Sequence, residues 1–352
     1  MKTISIDQEK NAEAALRSCL GKVPFITIAS IEQAPVLGKI AADFLVKLGL
    51  PGGEQSLVVE VKSNGQPRLA REAVNLLLRY QNANLGIYGV FMAPYISPRS
   101  AEICSKEGIG YIDLAGNCRL CFGQVYIEQQ GRPNPFAKRR DLRSLYSPKA
   151  ARVLRVLLAA PQETWKIKDL AKEADVSLGQ ASNVKKLLED REWICTGPDG
   201  VALSEPEQLL AEWAENYTYR KNQVREFYSL KSITEIEADI AQVCRQKDLK
   251  YALTGFSGAA RLAPAVRYQR VTAYVEKTEE DLASLLNLKE VPSGANVSLL
   301  IPYDEGIFYS VREIEGIRIA CPVQVYLDLL GFRGRGEEAA NAVLERVIRP
   351  QW

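Results

Sequence analysis

A chain of 352 residues, 47% hydrophobic and 25% charged, has the make-up of a globular protein of two or three domains. Its net charge of +2 is too small to argue for nucleic acid by itself, and its complete lack of histidine excludes Ser-His-Asp, Cys-His and HExxH chemistry. Any catalysis must rest on carboxylates, Lys, Tyr, Ser, Cys or a metal held by oxygens, and oxygen ligands favour hard cations such as Mg²⁺ or Mn²⁺.

The first residues form no apolar core of signal-peptide length, and no run approaches the ~18 apolar residues of a membrane span, so a cytoplasmic protein without a membrane partner is expected. Seven cysteines, an odd number without framework spacing, fit reduced thiols. Cys118 and Cys121 form a lone CxxC with no second pair at zinc spacing; on a strand, period two sets them on opposite faces.

In chain order, residues 1–136 mix helix and strand. NAEAALRSCL predicts a helix, ADFLVKLGL (42–50) a strand, PGGEQ a turn and SLVVEVK a second strand. PRLAREAVNLLLRYQNA (67–83) opens on Pro and carries apolar residues at helical spacing. IYGVFMAPYI predicts a buried strand, and SPRSAEICSKEGI a short helix with Ser97 as N-cap and Pro98 at its first position. GYIDLAG and QVYIE are further strands, and residues 131–141 read as a linker.

The second block, residues 142–230, predicts a helix opened by Ser147 and Pro148, a second over KIKDLAKEADV, and a third opened by Ser177 with Gln180 three residues on, the capping-box pattern. A Gly/Pro/Asp turn between two short strand-like runs follows, then a long helical stretch from residue 207 to residue 230. The third block, residues 231–352, alternates helical and strand patterns, so the whole chain is expected to be mixed α/β and α+β.

Charge is concentrated at residues 138–155, where Lys138, Arg139, Arg140, Arg143, Lys149, Arg152 and Arg155 face Asp141 alone, a local +6. That run is either a phosphate-contacting patch or a solvated basic linker.

In SLVVEVK, alternation sets Glu60 and Lys62 on one face of an apolar strand, and burying such charge is costly unless it is paired or used. Asp43 begins the preceding strand and joins that face in one register but points away after a one-residue slip; the sequence leaves the register open. Asp43, sixteen residues, Glu60, one residue and Lys62 resembles the PD-(D/E)xK nuclease motif, with Ala42 where that motif has proline. The resemblance implies a restriction-endonuclease-like α/β domain in which Asp43 and Glu60 hold Mg²⁺ or Mn²⁺ and Lys62 helps activate the attacking water. The same spacing also arises as a surface ion pair, or in a scaffold that kept the shape and lost the chemistry.

KDLAKEADVSLGQASNVKKLLEDREWI resembles the winged helix-turn-helix of bacterial regulators. Leu178, Ala181 and Val184 are expected to face inward, with Gln180, Ser182, Asn183 and Lys186 outward and Lys185 at the edge. Gln and Asn suit base edges and Lys suits phosphate. The wing, TGPDG, carries no Lys or Arg. LTGFSGAARLAP followed by VTAYVE is similar to the start of a nucleotidyltransferase-like domain, but only Glu276 is acidic where active enzymes pair acids, which argues against transfer.

Together with PVQVYLDLLGFRGRGEEAA, these segments resemble the AbiEi antitoxins of type IV toxin–antitoxin systems over about residues 145–352. That resemblance implies a cytoplasmic regulator that binds double-stranded promoter DNA, needs no cofactor and counters a nucleotidyltransferase-like toxin; winged helices also serve as dimer or protein-contact modules, which leaves a homodimer open. The alternative is a Mg²⁺- or Mn²⁺-dependent DNA endonuclease directed by its own winged helix, and whether the chain is an enzyme stays open. Both readings put Lys138, Arg139, Arg140, Arg143, Gln180, Ser182, Asn183, Lys185 and Lys186 on DNA.

Overall fold

The computed structural model describes residues 6–33, 36–37, 40–84, 86–135, 145–276, 282–332 and 334–352. Two compact units emerge: residues 1–141 with 189–192, and residues 142–188 with 193–352.

The first unit is an α/β sandwich around the seven-stranded sheet β1-β4-β5-β6-β7-β8-β9. Its elements are α1 (Ile6–Leu20), β1 (Thr27–Gln33), the two-residue strands β2 (Val36–Leu37) and β3 (Ile40–Ala41), β4 (Phe44–Leu50), β5 (Gly53–Val61), α2 (Pro67–Ala83), β6 (Ile87–Ala93), α3 (Pro98–Lys106), β7 (Gly110–Asp113), β8 (Cys118–Phe122) and β9 (Val125–Gln129). Strands β5, β6 and β7 are parallel, and antiparallel strands extend the sheet on both sides. Because helices cover both faces, β6 is buried almost end to end, which explains its unbroken apolar run.

Alternation along β5 divides the two cores. Leu57 and Val59 pack with Leu16 and Leu20 of α1, while Val58 packs with Ala70, Val74 and Leu77 of α2. Helix α2 begins with Pro67 at its first position and buries Ala70, Ala73, Val74, Leu77 and Tyr80, the three-and-four spacing of one helical face. The Ser97 side chain caps α3 by accepting from the Ser100 backbone N–H at 3.2 Å, as its sequence predicts. Cys118 is buried and Cys121 exposed on β8, so the CxxC thiols do face opposite ways.

The second unit begins with α4 (Pro148–Ala159), β10 (Thr164–Trp165), α5 (Ile167–Glu173), α6 (Leu178–Asp190), β11 (Ile194–Gly197) and β12 (Gly200–Leu203). The three strands form the small sheet β10-β12-β11, closed by a two-residue turn between Gly197 and Gly200. Gly200 has φ +140 and its missing Cβ would lie 2.4 Å from the Trp165 carbonyl oxygen, so glycine is required there.

The expected long helix over 207–230 breaks in two. Helix α7 (Pro206–Asn216) ends, a 3₁₀ turn covers Tyr219–Lys221, and the chain enters β13 (Gln223–Tyr228). β13 lies beside β17, and this sheet pairing overrides the local helical pattern.

The remainder is α8 (Ile233–Gln246), β14 (Tyr251–Leu253), α9 (Gly255–Leu262), β15 (Val271–Val275), α10 (Leu282–Leu285), β16 (Lys289–Glu290), β17 (Val297–Ile301), β18 (Arg312–Ile314), β19 (Ile317–Ile319), α11 (Pro322–Leu330) and α12 (Gly336–Val343). Its seven-stranded mixed sheet has the order β16-β13-β17-β15-β14-β19-β18.

At the centre of this unit the carboxylate of Asp328 on α11 is fully buried. It accepts from Thr254 at 2.5 Å, Tyr217 at 2.6 Å, Tyr274 at 3.0 Å and the Gln324 amide at 3.0 Å. Burial pushes its carboxyl up to about 6, and these four donors oppose that rise. The Gln324 oxygen in turn accepts from Arg155 of α4 at 2.7 Å, and the guanidinium lies over the Trp213 ring. Polar and apolar packing thus join α4 to α11 in one core, which includes Leu154, Val184, Trp213, Val325 and Leu329. Replacing Asp328 by Ala leaves several buried donors unmatched, and a loss of roughly 3–5 kcal/mol in denaturant unfolding is expected.

Candidate functional site

The register that the sequence left open is fixed by the β4–β5 pairing. Phe44 faces Val59 and Leu45 faces Val58, and Asp43 lies just beyond the last pair, close enough for its charge to act on Glu60. Asp43 therefore lies beside Glu60 and within reach of Tyr80 on α2, rather than opposite Lys62 or Asn64. Backbone bonds lock the arrangement: the Asp43 N–H donates to the Val59 carbonyl at 3.2 Å, and the Asp43 carboxylate accepts from the Val61 N–H at 2.7 Å.

The end of β5 is held with equal care. The Lys62 N–H donates to the Met92 carbonyl at 2.9 Å, which continues the parallel pairing with β6. Gly65 bridges to Ile96, and a Cβ there would lie 2.1 Å from the Tyr95 carbonyl oxygen, so only glycine lets the two segments approach. The Asn64 side chain accepts from the Gln66 N–H at 3.1 Å and turns the chain into α2.

Glu60 is buried and its carboxylate takes the Lys62 ammonium at 2.6 Å. Burial raises the Glu60 carboxyl above the usual range; the Lys62 hydrogen bond opposes that, and the Asp43 charge adds to it. Tyr80, fully buried on α2, feels the same two acids. Burial and then the charges of Glu60 and Asp43 push its phenol up to about 12. Its hydroxyl has no hydrogen-bond partner among the described residues. Tyr80 was not singled out from sequence; the only signal was a phenol on the buried stripe of α2.

Two neighbouring carboxylates suit a hard divalent cation, which would compete with the Lys62 ammonium for Glu60. Mg²⁺ in particular is bound through one or two carboxylates and keeps several waters. Among the described residues no third acid, thiol or imidazole joins them, so water would complete the shell. The nearby Asp113, also buried, is committed elsewhere: it accepts from Asn117 through both oxygens and from the Ile96 N–H.

The second candidate surface is α6. Ser182, Asn183 and Lys186 are exposed, Gln180 and Lys185 are half-buried, and Ala181 and Val184 enter the core. Leu178 departs from its expected inward position and is 54% exposed, because it opens the helix ahead of the first turn that reaches the core. Ser177 caps that turn, its hydroxyl accepting from the Gln180 N–H at 3.2 Å.

The basic run divides. Lys138, Arg139, Arg140 and Arg143 lie outside the described residues. Arg155 is buried against Gln324, and Arg152 pairs with Asp304 at 2.8 Å and with Asp175, so both arginines make contacts within the fold.

Residues 202–349 match the model of a family described as transcriptional regulator, AbiEi antitoxin, type IV toxin–antitoxin system. The likeness read from the sequence is borne out over that segment, which starts inside β12 rather than near residue 145. Three solved structures are similar to part of the chain. A repair endonuclease from Pyrococcus abyssi shares 13% identity, with a TM-score of 0.22 over 29% of this chain and 46% of that one. EndoMS in its apo form shares 16%, with a TM-score of 0.23 over 32% and 47%. The EndoMS complex with double-stranded DNA shares 16%, with a TM-score of 0.22 over 29% and 44%. The chain thus spans about half the length of these structures. No curated protein matches.

Two outcomes test the acid pair. Mn²⁺ at about 1 mM is expected to raise the melting temperature of the wild type by a few degrees and to leave Glu60→Ala unmoved. Because the Glu60 carboxyl is raised by folding, its favourable contribution is present at low pH and lost as pH rises through its folded value. Glu60→Gln should therefore gain stability relative to the wild type as pH rises from about 4 to about 8 in thermal melts; a constant difference would contradict this.

Proposed function

We propose that this protein is a DNA-binding transcriptional regulator of the antitoxin type, in which residues 142–230 form a winged helix-turn-helix and α6 is its reading helix. The observation that carries this reading is the outer face of α6: Ser182, Asn183 and Lys186 stand exposed on a helix whose opposite side, Ala181, Val184 and Leu188, is locked in the core. A rigid helix with amide and ammonium groups outward suits the major groove, Asn183 and Gln180 at base edges, Lys185 and Lys186 at phosphates. The exposed Leu178 adds an apolar group for a thymine methyl. Lys138, Arg139, Arg140 and Arg143 supply further phosphate contacts in this reading.

Residues 231–352 then form the partner-facing part of the antitoxin, a nucleotidyltransferase-like domain without transfer chemistry. Its strand β15 carries Thr272 and Tyr274 rather than paired acids. The match over residues 202–349 supports the antitoxin assignment, and a nucleotidyltransferase-like toxin is the partner it implies. A cytoplasmic homodimer on double-stranded DNA completes the proposal. Among the described residues no helix is long and apolar enough to cross a membrane.

A second reading, a metal-dependent DNA endonuclease, is favoured by the proximity of Asp43 and Lys62 to Glu60. A divalent ion bound there would offset the phosphate charge. Asp43 and Glu60 would hold it, released from their mutual repulsion, and Lys62 would steady negative charge developing beside Glu60.

Fluorescence anisotropy with DNA from upstream of the gene separates the readings. Asn183→Ala should cost about 1–3 kcal/mol on the specific site and little on random DNA. Lys186→Ala should weaken both and reduce the salt slope by about one. Wild-type affinity in both variants would sink the α6 assignment. Under the second reading the bound DNA is nicked in Mg²⁺ or Mn²⁺, and Glu60→Ala abolishes cutting while binding persists.

A further inference from the structure

A cleft of about 670 Å³ opens on the second unit beside β13, β15 and β17, a volume in the range that encloses small ligands. One wall is aromatic. The Tyr219 and Phe332 rings stack at 5.0 Å with only 3° between their planes, and Phe256 leans on Phe332 at 5.6 Å. Glycines make room for these rings: a Cβ on Gly331 would lie 2.7 Å from the Tyr219 ring, and one on Gly255, at φ +55, 3.1 Å from Phe332. The aromatic wall is therefore built into the backbone.

The lining is also basic. Arg220, Arg267 and Arg270 line the cleft against one acid, Glu226. Arg270 pairs with Glu226 at 3.3 Å, whereas Arg220 and Arg267 have no carboxylate partner among the described residues. The segment bearing Arg267 and Arg270 is anchored: the Tyr268 hydroxyl donates to the buried Glu237 at 2.7 Å, which Arg261 also holds at 2.8 Å. Guanidinium forks match phosphate oxygens, and flat aromatic walls take a nucleobase face.

We propose that this cleft binds a nucleoside triphosphate, its base against the Tyr219–Phe332 wall and its phosphates on Arg220 and Arg267. Binding is non-covalent and involves no transfer step. It does not depend on the DNA-binding reading, since none of these side chains lies on α6.

The test is calorimetric titration of the full chain with ATP, GTP, CTP and UTP in Mg²⁺, beside adenosine and inorganic tripolyphosphate. At least one nucleotide is expected to bind with a dissociation constant below about 100 µM, at least about tenfold tighter than adenosine or tripolyphosphate. The double variant Arg220→Ala/Arg267→Ala removes only exposed side chains and should keep the wild-type melting temperature while losing at least about tenfold in affinity. Phe332→Leu should lose about fivefold or more through stacking. The proposal is overturned by silence from all four nucleotides up to about 1 mM. It is equally overturned by an unchanged affinity in the double-arginine variant, or by tripolyphosphate binding as tightly as the best nucleotide.

Discussion

The antiparallel register of β4 on β5 is the constraint on which the first unit's chemistry depends. Pairing Phe44 with Val59 sends the odd-numbered residues of β5 into the α1 core and leaves Glu60 on the α2 side, with Asp43 close to it just beyond the last pair. A slip of one residue would bury Glu60 and Lys62 among Leu16 and Leu20 and turn Val59 toward Tyr80, a cost no local pairing could offset. The fold therefore holds two like charges together. Burial is the main cause of the raised Glu60 carboxyl, the Asp43 charge adds to it, and the Lys62 ammonium, 2.6 Å away, opposes it.

The second unit is organised by a different buried charge. Asp328 gathers donors from Tyr217, Thr254, Tyr274 and Gln324, and Gln324 passes the connection to Arg155. A fully satisfied polar cluster fixes one arrangement of the packed elements more strictly than apolar packing does. It also explains why Arg155 belongs inside, although the sequence places it in a basic run.

Much of the first unit was legible in the sequence because its signals are local. Helix α2 announces itself by Pro67 and a three-and-four stripe, α3 by Ser97 and Pro98, and β6 by an apolar run flanked by turns. Strand β1 was not read, since its outward residues outnumber its inward ones at the sheet edge. The fate of residues 217–230 was hidden for another reason: that segment has helical spacing, and only pairing with a strand about 75 residues later decides against a helix. Among candidate site residues, Glu60 and Lys62 could be placed by alternation alone. Asp43 could not, because register is a property of two strands. Leu178 and Arg155 were misjudged because helix phase and charge do not report where a core begins or which arginine has a buried amide waiting.

The reading of this protein as a regulator that grips DNA through α6 and leaves it whole is tested most directly on a single sample. Purified chain and DNA from upstream of its gene are incubated with Mg²⁺ and divided between a native and a denaturing gel. The account predicts a retarded complex on the first and full-length strands on the second. Shortened strands, or free DNA on the native gel at protein concentrations near 1 µM, a range in which specific DNA binding is ordinarily saturated, would contradict it.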